Sequence, residues 1–149
     1  MGTVAASVAP NSANTINVSV IYLPNIQFSK IAVDVSTTDA STSDFYSWAI
    51  TDLSGNVKCS ITAVNVTAGG ASDQTCTQGT VTLANGAYLF AFTGNATVGK
   101  IAYSGTAPLP LSSAVSSSTS SSGAMTFPIS VPSAGVNYSG YGLPAIALH

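Results

Sequence analysis

Apolar residues along this chain recur mainly with a period of two, the spacing that puts alternate side chains on opposite faces of a β-strand. Ile16, Val18, Val20 and Tyr22 alternate with Thr15, Asn17 and Ser19. Ile31, Val33 and Val35 alternate with Lys30, Ala32, Asp34 and Ser36, and Tyr46, Trp48 and Ile50 alternate with Ser47, Ala49 and Thr51. Each segment predicts a strand with one face in a core and one face wet. Ser54-Gly55-Asn56 supplies residues with access to positive φ, so a hairpin is expected after the third strand. The returning strand begins at Val57 and passes through Cys59 and Ile61, but Val64 and Val66 fall on the other parity. A bulge near Ala63 accounts for the change. Residues 67–75, "TAGGASDQT", read as a loop, Val81 and Leu83 as a short strand, Asn85-Gly86 as a second turn, and residues 98–103 as a further strand. Met125, Phe127, Ile129 and Val131 alternate again, with Pro128 and Pro132 marking an edge strand, and "LPAIALH" closes the chain as a last strand. Pro, Gly and β-branched residues break every candidate helical stretch.

One stretch departs from the alternation. Ala87-Tyr88-Leu89-Phe90-Ala91-Phe92 is apolar throughout. As a strand it puts Tyr88, Phe90 and Phe92 on one face and Ala87, Leu89 and Ala91 on the other. The aromatic face is the core face, because each ring buries roughly 150–250 Å². The opposite face is apolar but small, and two readings are open. Its alanines are tolerated singly on an outer surface, or the face is buried. In the second case Ala87, Leu89 and Ala91 lie under a segment such as the serine tract, or form an interface with another molecule.

About eight or nine short strands in a single domain over residues 1–149 predict an all-β fold: an antiparallel β-sandwich, jelly-roll-like. The tract "PLPLSSAVSSSTSSSGAM" interrupts the strand pattern, and residues 108–124 read as a long Ser-rich surface loop. It is either mobile or pinned against a neighbouring subunit.

Charge narrows the function classes. Only 5% of residues are charged, against about 25% in an average soluble domain. Glu and Arg are absent, and the three lysines are too few to neutralise a nucleic-acid backbone. Nucleic acid is therefore excluded as a partner. No apolar run approaches the ~20 residues of a membrane helix, so membrane insertion is not expected. The first fifteen residues lack the basic start and apolar core of a signal peptide. A formal net charge of -2 gives little self-repulsion and favours association, which predicts a homo-oligomer. Cys59 and Cys76 are the only cysteines. They are either bridged, closing a loop worth about 3 kcal/mol in the chain-entropy model, or reduced and half-buried as small hydrophobes.

Acid–base groups are scarce. A Ser-His-Asp arrangement would have to use His149, a poorly anchored base. Asp39 and Asp44 flank the loop "STTDASTSD", where Asx turns and a Ca²⁺ site are the two readings. We expect no enzyme activity and no cofactor. Asn17, Asn65, Asn95 and Asn137 begin N-x-S/T sequons, which are frequent by chance in so Ser- and Thr-rich a chain. "NYSGYGLP" puts Tyr138 and Tyr141 beside Asn137 in a Gly-rich loop, where the rings either stack on sugars or pack against the sandwich or a partner.

The order "FSKIAVDVSTTDASTSDFYSWAITDLSGNV", then "GTVTLANGAYLFAFTGNA", then a Ser-rich stretch before "FPISVP", resembles β-sandwich domains of tailed-phage virion proteins, tail fibres among them. The shared features are the early "KIAVDVSTTDA" strand, the D-x-S-G-N hairpin and an L-x-x-G-x-Y strand. They cover residues 28–132. Jelly-roll carbohydrate-binding modules share the L-x-x-G-x-Y habit. The resemblance implies a virion structural or host-recognition role, in a virion or extracellular setting, with other virion proteins or a cell-surface glycan as partner. It transfers no functional residue. The alternative is a secreted carbohydrate-binding module.

Overall fold

A computed structural model of the chain describes residues 4–8, 13–104, 113–131 and 145–149. Within them the fold is all-β and antiparallel, with twelve strands: β1 (Val4–Val8), β2 (Thr15–Leu23), β3 (Ile26–Phe28), β4 (Lys30–Thr37), β5 (Tyr46–Thr51), β6 (Val57–Val64), β7 (Gly70–Thr75), β8 (Val81–Leu83), β9 (Gly86–Gly94), β10 (Lys100–Ser104), β11 (Ser113–Thr119) and β12 (Ile146–Leu148). Sheet A runs β1-β10-β4-β12, with β7 also paired to β4; sheet B runs β11-β2-β9-β5-β6; β3 and β8 form a small third sheet.

The main core lies between the sheets. Ile31, Val33, Val35 and Ile101 come from sheet A, and Tyr46, Trp48, Ile50, Cys59, Ile61, Phe90 and Phe92 from sheet B, with Phe28, Val81 and Leu83 closing one side. The expected core residues of β4 and β5 are all there. The rings of Tyr46 and Phe92 stack at 6.1 Å. The bulge expected near Ala63 is present. Ala63 has φ 56, and the β5–β6 register slips between Tyr46↔Val64 and Trp48↔Ile61.

Strand β2 reverses the expected phase. Asn17, Ser19 and Ile21 pair with Phe92, Phe90 and Tyr88 and so lie on the core face. Ile16 and Val18 lie on the opposite face, in a second apolar cluster with Ala49, Ala91 and Ile129. Apolarity could not set the phase because both faces of this strand are buried. The inversion leaves the Ser19 hydroxyl buried with no hydrogen-bond partner, as is the indole N–H of Trp48.

Three segments differ from their sequence reading. Residues 70–75 are strand β7 rather than loop, because their backbone pairs with β4 from Lys30↔Thr75 to Val35↔Gly70 whatever the polarity of their side chains. Within the expected serine loop, Ser113–Thr119 forms β11 and pairs with β2 of the same chain. Met125 to Val131 is not a strand. Its alternation is real, but it serves to lay apolar side chains on a sheet face, as described next.

Candidate functional site

The second face of sheet B is where the sequence suggested an interface, and the chain covers much of that face itself. The covering segment, residues 120–131, starts at Ser120. The Ser120 backbone N–H donates to Asn14 O (2.8 Å), and its hydroxyl meets the Thr93 hydroxyl at 2.8 Å. A tight turn follows, closed by bonds between Ser121 and Ala124. Met125, Phe127 and Ile129 then pack against Ile16, Val18, Ala49 and Ala91. The far end is fixed at the β5–β6 hairpin, where Ile129 N–H donates to Gly55 O (3.1 Å). Gly55 has φ +83, and any Cβ there would strike the Ile129 carbonyl oxygen. Only glycine meets both demands.

Ala91 lies in this cluster, and Leu89 and Ala91 are both buried within the single chain, so neither is available to a partner, which corrects the interface reading for these two residues. The clue was present in the sequence, since the run after the serine tract alternates in step with the face it covers. Ala87 is half-buried at the edge of the covered area. Beyond it the face is open. Tyr22 pairs with Ala87 and is 67% exposed, and Leu53 of the neighbouring hairpin is 53% exposed. Alternation had assigned Tyr22 to the core, but its row lies past the end of the cover. Tyr22 and Leu53 are, with Val98 and Val131, the large apolar side chains left exposed among the described residues. Asn137, Tyr138 and Tyr141, the expected glycan or partner contacts, lie outside the described residues.

Cys59 and Cys76 are bridged. Cys59 belongs to β6 of sheet B, while Cys76 follows β7 of sheet A and donates its N–H to Ser29 O (2.8 Å). The bridge thus staples the two sheets along one side of the core.

The Asp39–Asp44 loop is built by internal hydrogen bonds. Asp39 is buried, and its carboxylate accepts the Tyr46 hydroxyl at 2.7 Å and the Ser41 N–H at 3.0 Å. The second bond makes the Asx turn that was one of the two sequence readings. The Tyr46 oxygen in turn accepts the Gly99 N–H at 2.8 Å. The Tyr46 hydroxyl holds the Asp39 carboxyl below its ordinary range, helped by Ser41 and opposed by burial. Burial, then the Asp39 carboxylate, pushes the Tyr46 phenol up to about 12. A Cβ on Gly94 or Gly99 would lie within 2.7 Å of the Tyr46 ring, so two glycines form its slot. Two sequon asparagines clamp the same loop. Asn65 Nδ2 donates to Asp44 O (2.8 Å) and Thr42 O (3.2 Å). Asn95 accepts the Phe45 N–H (2.7 Å) and donates to Ser43 O (3.1 Å). Among the described residues no group of three or more His, Cys, Asp or Glu could hold a metal ion.

At the β5–β6 turn, burial would raise the Asp52 pKa, but donors from Asn56, Lys58 and Ser54 outweigh it and bring it down to about 2. This is the expected hairpin, closed by Asp52 N–H to Asn56 O at 3.0 Å. A shallow hollow of about 250 Å³ on the outer face of sheet A is lined by Ala32, Asp34, Ala71 and Ala147 among others. It falls below the ~300–1,000 Å³ of ordinary ligand pockets. Comparison of the chain with protein-family models, with curated proteins and with solved structures finds no match.

Proposed function

We propose that this chain is a non-enzymatic β-sandwich component of a virion, tail-fibre-like, that works in a homo-oligomer by contact with other proteins and recognises a cell-surface glycan through its loops. One observation carries this reading. Only 5% of the residues are charged, and large apolar side chains, Tyr22 and Leu53 among them, stand exposed. Such a surface suits contact rather than chemistry, since aromatic and aliphatic groups dominate the centres of protein contacts. The buried Asp39 is engaged by Tyr46 and Ser41, so that carboxylate serves the fold. The disulfide fits a setting outside the reducing cytoplasm.

The exposed Tyr22 ring favours the second reading, a secreted carbohydrate-binding module, because a solvent-facing aromatic is a platform for a sugar face. Light scattering together with a glycan array separates the two. An oligomer whose glycan signal disappears in a Tyr138→Ala, Tyr141→Ala variant supports the virion reading. A monomer that binds polysaccharide and loses it on Tyr22→Ala supports the module. Tail and baseplate genes beside the coding sequence would speak for the virion.

A further inference from the structure

Among the described residues strand β7 pairs only with β4 and leaves its other edge open, and we infer that a second copy of this chain pairs with it, antiparallel, to extend sheet A across a twofold axis. The inference deepens the homo-oligomer part of the reading above and rests on it for the identity of the partner. Proteins normally guard their edge strands with bulges, short length, proline, lysine or a covering loop. The other described edges follow that rule. In β6 the register slips twice, Ser60 N–H is capped by the Gln78 side chain (2.7 Å), and Ser60 O is taken by Thr77 N–H (2.9 Å). The β1–β10 register breaks between Val4 and Ala6, the β11–β2 register breaks between Val115 and Thr119, and β12 has three residues. Strand β7 pairs with β4 through six consecutive residues without a shift, and "GASDQT" contains neither Pro nor Lys.

The hydrogen bonds fix which backbone groups face outward. Cys76 N–H points to Ser29 on the β4 side. Alternation along the strand then directs Gly70, Ser72 and Gln74 toward β4 as well. The opposite edge of β4 agrees, since Lys30 exchanges both its backbone bonds with His149. The N–H and C=O groups of Ala71, Asp73 and Thr75 are therefore presented to the free edge.

The strand's one charge does not guard it. Asp73 is drawn back across β4 by Lys30 Nζ (3.4 Å) and His149 Nε2 (3.1 Å). A twofold axis at Ser72 sets Ala71 opposite Asp73 of the second copy, so the carboxylates do not face each other. In this register Ala71 and Asp73 of each copy exchange both backbone bonds with their counterparts, and the contact is self-complementary as a twofold interface requires.

Proline separates the two sides of the strand. Ala71→Pro removes an outward N–H and leaves the β4 ladder whole, whereas Gln74→Pro breaks the ladder. Sedimentation analysis over a concentration series should show a dimer for the wild type. Ala71→Pro should dissociate roughly 30-fold more readily, from two hydrogen bonds lost per dimer, with an unchanged circular dichroism spectrum. Hydrogen exchange on the wild type gives an arm that needs no variant: the amides of Ala71, Asp73 and Thr75 should gain protection as concentration rises. A dimer that persists in folded Ala71→Pro, or those three amides exchanging freely in the dimer, overturns the edge pairing and leaves the homo-oligomer reading standing. A wild type that stays monomeric overturns both.

Discussion

Replacing Tyr46 by Phe isolates the contribution of one buried hydroxyl. The ring stays in the slot between Gly94 and Gly99, so no cavity opens. Two hydrogen bonds are lost, the one to the Asp39 carboxylate and the one from the Gly99 N–H. A hydrogen bond to a charged group contributes about 1.5–3 kcal/mol, and a buried donor left without an acceptor costs about 1–3 kcal/mol. Tyr46→Phe should therefore cost about 3–5 kcal/mol, a large share of the ~5–15 kcal/mol that holds a domain together. At about 2–4 °C per kcal/mol for a chain of this size, the midpoint should fall by roughly 10 °C. Trp48 is the only tryptophan and is fully buried, so urea unfolding can be followed by its fluorescence.

The same argument fixes a pH dependence. The folded Asp39 carboxyl titrates below its unfolded value of about 3.9. Its stabilisation is thus present above pH ~4 and lost as pH falls through the folded value. The Tyr46→Phe penalty should shrink in acid, and in a cycle with Asp39→Asn the two losses should couple by ~1.5–3 kcal/mol. A penalty below ~1 kcal/mol, or one unchanged between neutral and acidic pH, refutes the reasoning.

Other outcomes follow from the same structure. The phenol pushed up to about 12 contributes stability that is complete below pH ~10 and lost as pH rises through its folded value, so alkaline titration should unfold the protein cooperatively with Tyr46 ionisation. Removing the bridge by Cys59→Ala, Cys76→Ala should cost about 3 kcal/mol in the chain-entropy model for a separation of 17 residues, read as a lower urea midpoint that reductant leaves unmoved. Gly55→Ala should release residues 124–131 from sheet B, seen as dye binding to the uncovered Ile16, Val18 and Ala91 at a loss of ~2 kcal/mol or more. Ser19→Ala should leave stability unchanged or raise it by up to ~1 kcal/mol, because the hydroxyl it removes is buried without a partner.

Sequence reading succeeded where one face of a strand differs chemically from the other. Ile31, Val33 and Val35 alternate with Lys30, Asp34 and Ser36, and the structure turns them inward as expected. It failed in β2, where both faces are buried and Asn17 and Ser19 take the core side that Ile16 and Val18 were expected to fill. Composition misled for β7 and β11, since backbone pairing at a sheet edge does not depend on apolar side chains and serine reads as loop. The bridge between Cys59 and Cys76 is a contact between sheets, and one sequence gives no measure of that distance. The Asp39–Tyr46 bond was invisible for a simpler reason: the loop motif and the strand residue were read separately, one as a turn and the other as core.

The covered sheet changes where contact should be sought. The sequence left open whether the small face of the Ala87–Phe92 run is buried or tolerated on an outer surface. Residues 120–131 cover the Ala91 end of that face from within, using Met125, Phe127 and Ile129 as the apolar layer and Ser120 and Gly55 as its anchors, and Leu89 is buried within the chain as well. The apolar run therefore no longer argues for a partner at Leu89 or Ala91. Low charge still fits the association proposed above, which would use what the described residues leave uncovered, among it the exposed Tyr22 and Leu53 side chains and the outward edge of β7. These sites make different demands. The exposed side chains offer apolar area, which tolerates many partners, whereas the edge offers donors and acceptors in a fixed spacing, which selects an extended strand. On the proposed reading, self-pairing therefore falls to the edge, and the exposed apolar side chains are left for a second partner.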